Sequence, residues 1–233
     1  MGIDNGERFL ELLKKREKLE GTRIFNTLIH LATSQYGVNR NYQELFVAIS
    51  RYEQSLSIWA VNKRPQLDAF LRELSRLLQN YLSSIYSLVQ HTMIVRNDLS
   101  CSKLNTEYSS KLKTLQCNNC VRFVRDLRTY SQHIRLPVIA ARLSFRTIRQ
   151  TGKGEIKQQI LLEKKELTKW TYWHNDSKEY INSHDDIDLK VVLSEYQSLI
   201  KDFYQWFYKR VEELYSKELQ EFYEVESELA RLS

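Results

Sequence analysis

Arg128 and His133 are the two residues whose types and spacing could support catalysis in this chain. An imidazole that exchanges a proton near neutral pH can take the proton of a ribose 2′-hydroxyl, and a guanidinium can stabilise the negative charge that develops on a phosphate. The surrounding segment, 122–137, predicts a helix, on which a five-residue spacing corresponds to about 140° of rotation, so the two side chains flank Thr129. His133 falls in the predicted last turn, where the helix dipole favours its protonated form.

The same two side chains also have a purely structural interpretation. Arg128 could form an ion pair with Asp126 or with an acid elsewhere in the chain, and His133 could cap its own helix. Neither role would involve a substrate, and the sequence alone leaves both interpretations open.

The positive charge of the chain is concentrated around this helix. Residues 111–150 carry nine lysines and arginines against one acid, a local net charge of +8, whereas the rest of the chain sums to −2. Seven of the nine are arginines, whose planar fork of donors matches a phosphate group. The pattern fits a solvated basic face, and it also fits a surface for RNA or another polyanion. On the second interpretation we expect contacts to nucleic acid from Arg125, Arg135 and Arg142, with Tyr130 beside them.

Other common catalytic motifs are missing from the sequence. Cys117 and Cys120 form a CxxC pair, but a zinc site needs four ligands and Cys101 is the one further thiol. The five histidines form no HExxH or HxH pair, and the chain has neither a Gly-rich phosphate loop nor a GxSxG motif. We therefore expect no metal site and no cofactor.

The pattern Arg128-x4-His133, on a predicted long element of a helical protein, resembles the R-x4–6-H motif of the HEPN superfamily. The resemblance implies an RNA-binding protein or a metal-independent endoribonuclease, as found in toxin–antitoxin, CRISPR and other antiviral systems. It implies a homodimer in which two Arg/His sets form one cleft, and cleavage by 2′-hydroxyl attack that leaves a 2′,3′-cyclic phosphate. Thr129 departs from the Asn, Asp or His that commonly follows the arginine in that family.

The expected partners are RNA or another polyanion, a second copy of the chain, and an antitoxin or other defence-system protein. The aromatic and leucine content of residues 192–232 also favours a subunit interface. No apolar run approaches the roughly 20 residues of a membrane span, so we expect a cytoplasmic protein without membrane contact. A function of another class, a non-catalytic helical interaction protein with a basic docking surface, accounts for the same charge pattern.

Hydrophobic periodicity predicts a mostly α-helical, HEPN-like bundle forming one domain over 1–233. Two prolines and six glycines are too few turn residues for an all-β sandwich or a Rossmann fold. A β-hairpin is predicted at about 138–163 with its turn at 150–154, and a long C-terminal helix at about 188–232, capped by Asp186 or Asp188. The other predicted helices cover about 4–19, 22–36 ending at Gly37, 41–62 capped by Asn41, 65–99 and 177–183, and a helix or helix pair is predicted at 107–135 after a polar loop at 100–106.

Overall fold

A computed structural model describes residues 5–56, 63–147 and 154–233. Within these ranges the chain is mostly α-helical, with a small antiparallel sheet. The elements in chain order are α1 (Asn5–Lys18), α2 (Glu20–Glu53), α3 (Arg64–Leu99), α4 (Ser102–Gln116), α5 (Asn119–His133), β1 (Ile139–Thr147), β2 (Gly154–Leu162), α6 (Lys164–Leu167), α7 (Asn175–Asn182), β3 (Ile187–Asp188), α8 (Leu189–Leu214) and α9 (Ser216–Leu232). None of the described helices is both long and apolar enough to cross a membrane.

Helices α2 and α3 form an antiparallel pair that carries much of the core. Arg23, near the start of α2, donates to the carbonyl of Asp98 at 2.8 Å, and Asn41, farther along α2, donates to the carbonyl of Asn80 at 3.4 Å. The inward stripes of both helices are buried and apolar, as the 3.6-residue periodicity requires. Their fully buried members include Leu31, Leu45 and Ile49 in α2 and Leu74, Leu78 and Tyr81 in α3.

The predicted helix end at Gly37 is wrong, because α2 continues through it to Glu53. A glycine inside a helix costs roughly 0.5–1 kcal/mol relative to alanine. Val38 and Leu45 are both buried, and burying one such side chain contributes about 1.5–3 kcal/mol. Packing therefore outweighs the local preference of Gly37, and Asn41 lies inside the helix rather than at its start.

Further boundaries also differ from the predictions. The helix predicted to end at about 62 ends at Glu53, and 57–62 lie outside the described residues. The polar loop predicted at 100–106 is mostly helix, because α4 begins at Ser102 and the Cys101 sulfur accepts a hydrogen bond from the amide of Leu104 at 3.5 Å. The predicted continuous helix at 188–232 is interrupted at Tyr215, whose ψ of 27° separates α8 from α9. The Tyr215 hydroxyl donates to the carbonyl of Leu99 at 2.6 Å, which ties the bend to the end of α3.

The predicted β-hairpin is confirmed. Strands β1 and β2 pair from Ile139 opposite Leu162 to Thr147 opposite Gly154, while most of the predicted turn, 150–153, lies outside the described residues. The two-residue strand β3 adds to the β2 edge and was too short to predict. Asp188 in β3 caps α8, as predicted, by accepting from the amide of Lys190 at 3.0 Å. The hairpin end nearest the helices is buried, whereas the far half exposes its apolar residues Leu143, Phe145 and Ile156.

The two glycines of α2 give a matched test of helix packing. A Cβ at Gly21 would collide with the carbonyl oxygen of Glu218 in α9, whereas a Cβ at Gly37 would meet nothing within 4 Å. We predict that Gly21→Ala lowers the free energy of unfolding by about 1–3 kcal/mol, the usual cost of overpacking. Gly37→Ala should raise it by about 0.5–1 kcal/mol through helix propensity. Urea unfolding measures both, and a neutral Gly21→Ala would contradict the close approach of α2 and α9.

Candidate functional site

Helix α5 carries both predicted catalytic residues and is held by its apolar face. It begins after Asn118, whose side-chain oxygen accepts from the amide of Val121 at 3.2 Å. Phe123, Val124 and Leu127 are buried along one side. The ring of Phe123 stacks on Tyr180 of α7 at a centroid distance of 5.0 Å. This anchoring fixes which flanks of α5 remain available to a ligand.

Arg128 is held by an aromatic ring rather than by an acid. Its guanidinium carbon lies 3.7 Å from the ring centroid of Tyr86 in α3, a cation–π contact. Its Nε is buried and has no hydrogen-bond partner among the described residues. The alternative pairing with Asp126 is not formed, because that carboxylate accepts from the amide of His174 and from the hydroxyl of Ser177, each at 2.8 Å.

His133 is the last residue of α5 and is exposed to solvent. The alternative role of capping its helix is not observed, because the amides of Ile134 and Arg135 both donate to the carbonyl of Tyr130, at 3.0 and 3.2 Å. In the part of the chain that the structure describes, the imidazole forms no hydrogen bond or ion pair. It is therefore accessible for proton exchange with a bound molecule.

The two candidate catalytic side chains point to different flanks of α5. The Arg128 side chain lies on the α3 side, where it contacts Tyr86. His133 follows Asp126 by seven residues, which is close to two helical turns, so both lie on the same face. Asp126 bonds to residues at the start of α7, and His133 therefore lies on the α7 side. Arg128 and His133 are also separated by about 7.5 Å along the axis. One chain does not bring them together into a single pocket.

The other residues predicted to contact nucleic acid have unequal surroundings. Arg125 is exposed and forms no ion pair with any described residue. Arg135 donates to Glu166 at 2.8 Å and to the Tyr130 hydroxyl at 2.7 Å. Together with Lys169, Arg135 holds the pKa of Glu166 below its usual value. Arg142 forms an ion pair with Asp186.

Internal pairing thus reduces the charge that this surface offers to a ligand. Arg122 adds a third pair, with its Nε 3.6 Å from a carboxylate oxygen of Asp176. Among the arginines of α5, Arg125 and Arg128 are the two without a carboxylate partner in the described chain. Tyr130 is only 1% exposed, so its ring supports the end of α5 from beneath rather than contacting a ligand.

The cysteines do not form a cluster. Cys120 is buried, and this burial raises the pKa of its thiol to about 12, whereas Cys117 is exposed. No group of three or more histidine, cysteine or acidic side chains in the described ranges is arranged to hold a metal ion.

Sequence reasoning missed two features beside α5. One is Tyr86, an exposed tyrosine on α3 that has no local signal linking it to Arg128. The other is a cleft of about 260 Å³ between α7 and the segment 168–173 that precedes it. The sequence shows an aromatic patch at 170–173, but nothing in its spacing indicates that the patch lines a cleft. The cleft is lined by Thr168, Trp170, Thr171, Trp173, Lys178, Ile181 and Asn182.

The environments of His133 and Tyr130 predict that substituting them by alanine changes the free energy of unfolding by very different amounts. We predict that His133→Ala changes the free energy of unfolding by less than about 0.5 kcal/mol, because the side chain is exposed and unpaired. Tyr130→Ala should lower it by about 3 kcal/mol or more, because it empties a buried aromatic site. Thermal or urea unfolding of the two variants measures both. A loss above about 1 kcal/mol for His133→Ala would show that the histidine is structural.

Comparison of the chain with protein-family models finds no match, and comparisons with curated proteins and with solved structures find none either. The function proposed below therefore depends on the arrangement of the side chains and on the motif resemblance.

Proposed function

We propose that this chain is an HEPN-like RNA-binding protein and metal-independent endoribonuclease that acts in the cytoplasm, in a bacterial defence or toxin–antitoxin system. The observation that carries the proposal is the set of contacts that Arg128 makes. Its guanidinium is fixed on Tyr86, has no acidic partner in the described chain, and shares a helix with the exposed His133. The biological setting rests on the motif resemblance.

The Tyr86 contact suits Arg128 for phosphate binding. The Arg128 Nε is buried, so the two terminal NH2 groups, at the edge of the guanidinium plane, are proposed to donate to two phosphate oxygens at once. A carboxylate partner would occupy those donors. Because the ring restrains the side chain, less conformational entropy is lost when a phosphate binds. Arg125, three residues earlier and exposed, can add a second cation for the neighbouring phosphate.

The proposed reaction needs only a base, an acid and charge stabilisation. His133 takes the proton from a ribose 2′-hydroxyl, and the 2′-oxygen attacks the adjacent phosphorus. The bond from phosphorus to the 5′-oxygen of the next nucleotide breaks, and the protonated His133 returns its proton to that oxygen. The products are a 2′,3′-cyclic phosphate and a free 5′-hydroxyl. Arg128 stabilises the charge on the phosphate oxygens during the attack.

A second copy of the chain would complete this site. Arg128 and His133 lie on different flanks of α5, so the guanidinium and imidazole that share one phosphate are proposed to come from different copies. Next to Arg128, α3 presents an exposed apolar stripe at helical spacing, which consists of Tyr86, Val89 and Met93. Pairing of this stripe across a two-fold axis would bring two α5 helices close together.

A non-catalytic interaction protein with a basic docking surface is the second candidate. The ion pairs of Arg135 and Arg142 favour it, because they leave less free charge for RNA than the sequence suggests. The far half of the hairpin also favours it, with Phe145 71% exposed in a position where an aromatic ring could contact a protein partner.

Cleavage assays distinguish the two candidates. We predict that the purified protein cuts mixed single-stranded RNA in the presence of EDTA and leaves 2′,3′-cyclic phosphate ends. His133→Ala should slow this cleavage by about 10²–10⁴-fold, the usual effect of losing a general base. Arg128→Ala should also impair it, and Arg128→Lys should not restore the full rate, because an ammonium lacks the guanidinium fork. End-labelled RNA on gels gives the rates and the chemistry of the ends.

Two variants serve as controls for these rates. His30→Ala removes an exposed histidine of α2, and Arg72→Ala removes an exposed arginine of α3. Both should cut RNA at the rate of the unaltered chain. RNA left intact by the unaltered protein, or cut equally well by His133→Ala, would contradict the nuclease proposal and favour the interaction protein.

A further inference from the structure

The cleft between α7 and the preceding segment 168–173 has the shape and lining of a small binding site. Its volume is about 260 Å³, below the ~300–1,000 Å³ of pockets for drug-sized molecules, so it suits one ring system. Trp170 forms part of its wall and meets Trp173 edge-on at a centroid distance of 4.7 Å. Next to Trp170, the ring of Tyr172 is 82% exposed. An aromatic ring so exposed contributes nothing to the core.

Polar side chains without internal partners also line the cleft. Thr171, Lys178 and Asn182 contribute to the lining. Their side chains form no hydrogen bond or ion pair with the residues that the structure describes. In contrast, the indole nitrogen of Trp173 donates to the carbonyl of Leu167 at 2.8 Å. The cleft therefore offers an amide, a hydroxyl and an ammonium group to a ligand, beside an aromatic rim.

One wall of the cleft, at Trp170, lies near the end of α5 that carries His133. Tyr130, three residues before the histidine, contacts Trp170 at a centroid distance of 5.6 Å. His133 lies on the same flank of α5 as the start of α7. A group held against Trp170 is thus on the His133 flank of α5 rather than on the α3 side with Arg128.

We propose that this cleft binds one unpaired nucleobase of a single-stranded RNA. The base stacks on the aromatic rim formed by Trp170 and Tyr172, and its polar edge bonds to the Asn182 amide and the Thr171 hydroxyl. The Lys178 ammonium contacts an adjacent phosphate. The proposal rests on the proposed function, since it specifies how the RNA is held, and it makes single-stranded rather than duplex RNA the substrate.

Binding of a short, labelled single-stranded RNA, measured by fluorescence anisotropy, tests the cleft. The full chain carries His133→Ala in every sample, so that the RNA stays whole. Tyr172→Ala should weaken binding by about fivefold or more, as expected for loss of a base-stacking ring, and Asn182→Ala should weaken it as well. Tyr36→Ala, which removes a tyrosine 65% exposed on α2, should leave the affinity unchanged. Circular dichroism checks that each variant is folded.

An oligonucleotide of equal charge whose sugars carry no bases separates base binding from phosphate binding. The chain that carries His133→Ala alone should bind this abasic strand more weakly than normal RNA. Adding Tyr172→Ala should not lower the affinity for the abasic strand further. If Tyr172→Ala loses the same affinity for both strands, or loses none for either, the cleft proposal is wrong. If the unaltered protein cuts RNA and the cleft variants still bind RNA normally, only the cleft proposal is contradicted. If the chain binds no RNA, the proposed function and the cleft proposal are both contradicted.

Discussion

Burial of the apolar face of α3 is the interaction on which the rest of the structure depends. This face contacts α2 along most of its length, and it also contacts α5 and β1. Two hydrogen bonds, one part-buried and one buried, join it to α8: the hydroxyl of Tyr81 donates to Gln197 at 2.9 Å, and the hydroxyls of Thr92 and Tyr204 lie 2.7 Å apart. Burying these groups without such partners would be costly, so the bonds fix the rotation of α3 about its axis. That rotation places Tyr86 on the flank that meets α5.

The orientation of α5 has a direct chemical consequence. The helix is clamped on its apolar side, so its polar residues divide between the α3 flank and the α7 flank. Arg128 lies on the first and His133 on the second, and each is left without a competing charged partner in the described chain. On the proposed function, a single chain presents half of a phosphodiester site on each flank. This arrangement is why the proposed activity requires two copies, and why the cleft at Trp170 is proposed to hold a base of the bound strand.

Local patterns predicted the features that depend on local physics. The hairpin was found because alternation along β1 and β2 is a property of neighbouring residues, and Asp188 was found as a cap because capping bonds span only two or three residues. The end predicted at Gly37 was wrong because burial of distant side chains outweighs a local helix preference. The ion pair of Arg142 with Asp186, which lie 44 residues apart, could not be read from spacing. The contact of Arg128 with Tyr86 likewise depends on how α3 and α5 pack.

Subunit complementation tests the central claim most directly. Two inactive variants, Arg128→Ala and His133→Ala, are given different tags and co-expressed, and the heterodimer is purified through both tags. If each site takes its arginine from one copy and its histidine from the other, one of the two sites in the heterodimer is intact. The account predicts that both variant homodimers fail to cut RNA in EDTA and that the heterodimer regains cleavage with 2′,3′-cyclic phosphate ends. A heterodimer as inactive as its parents, beside an active unaltered protein, would contradict it.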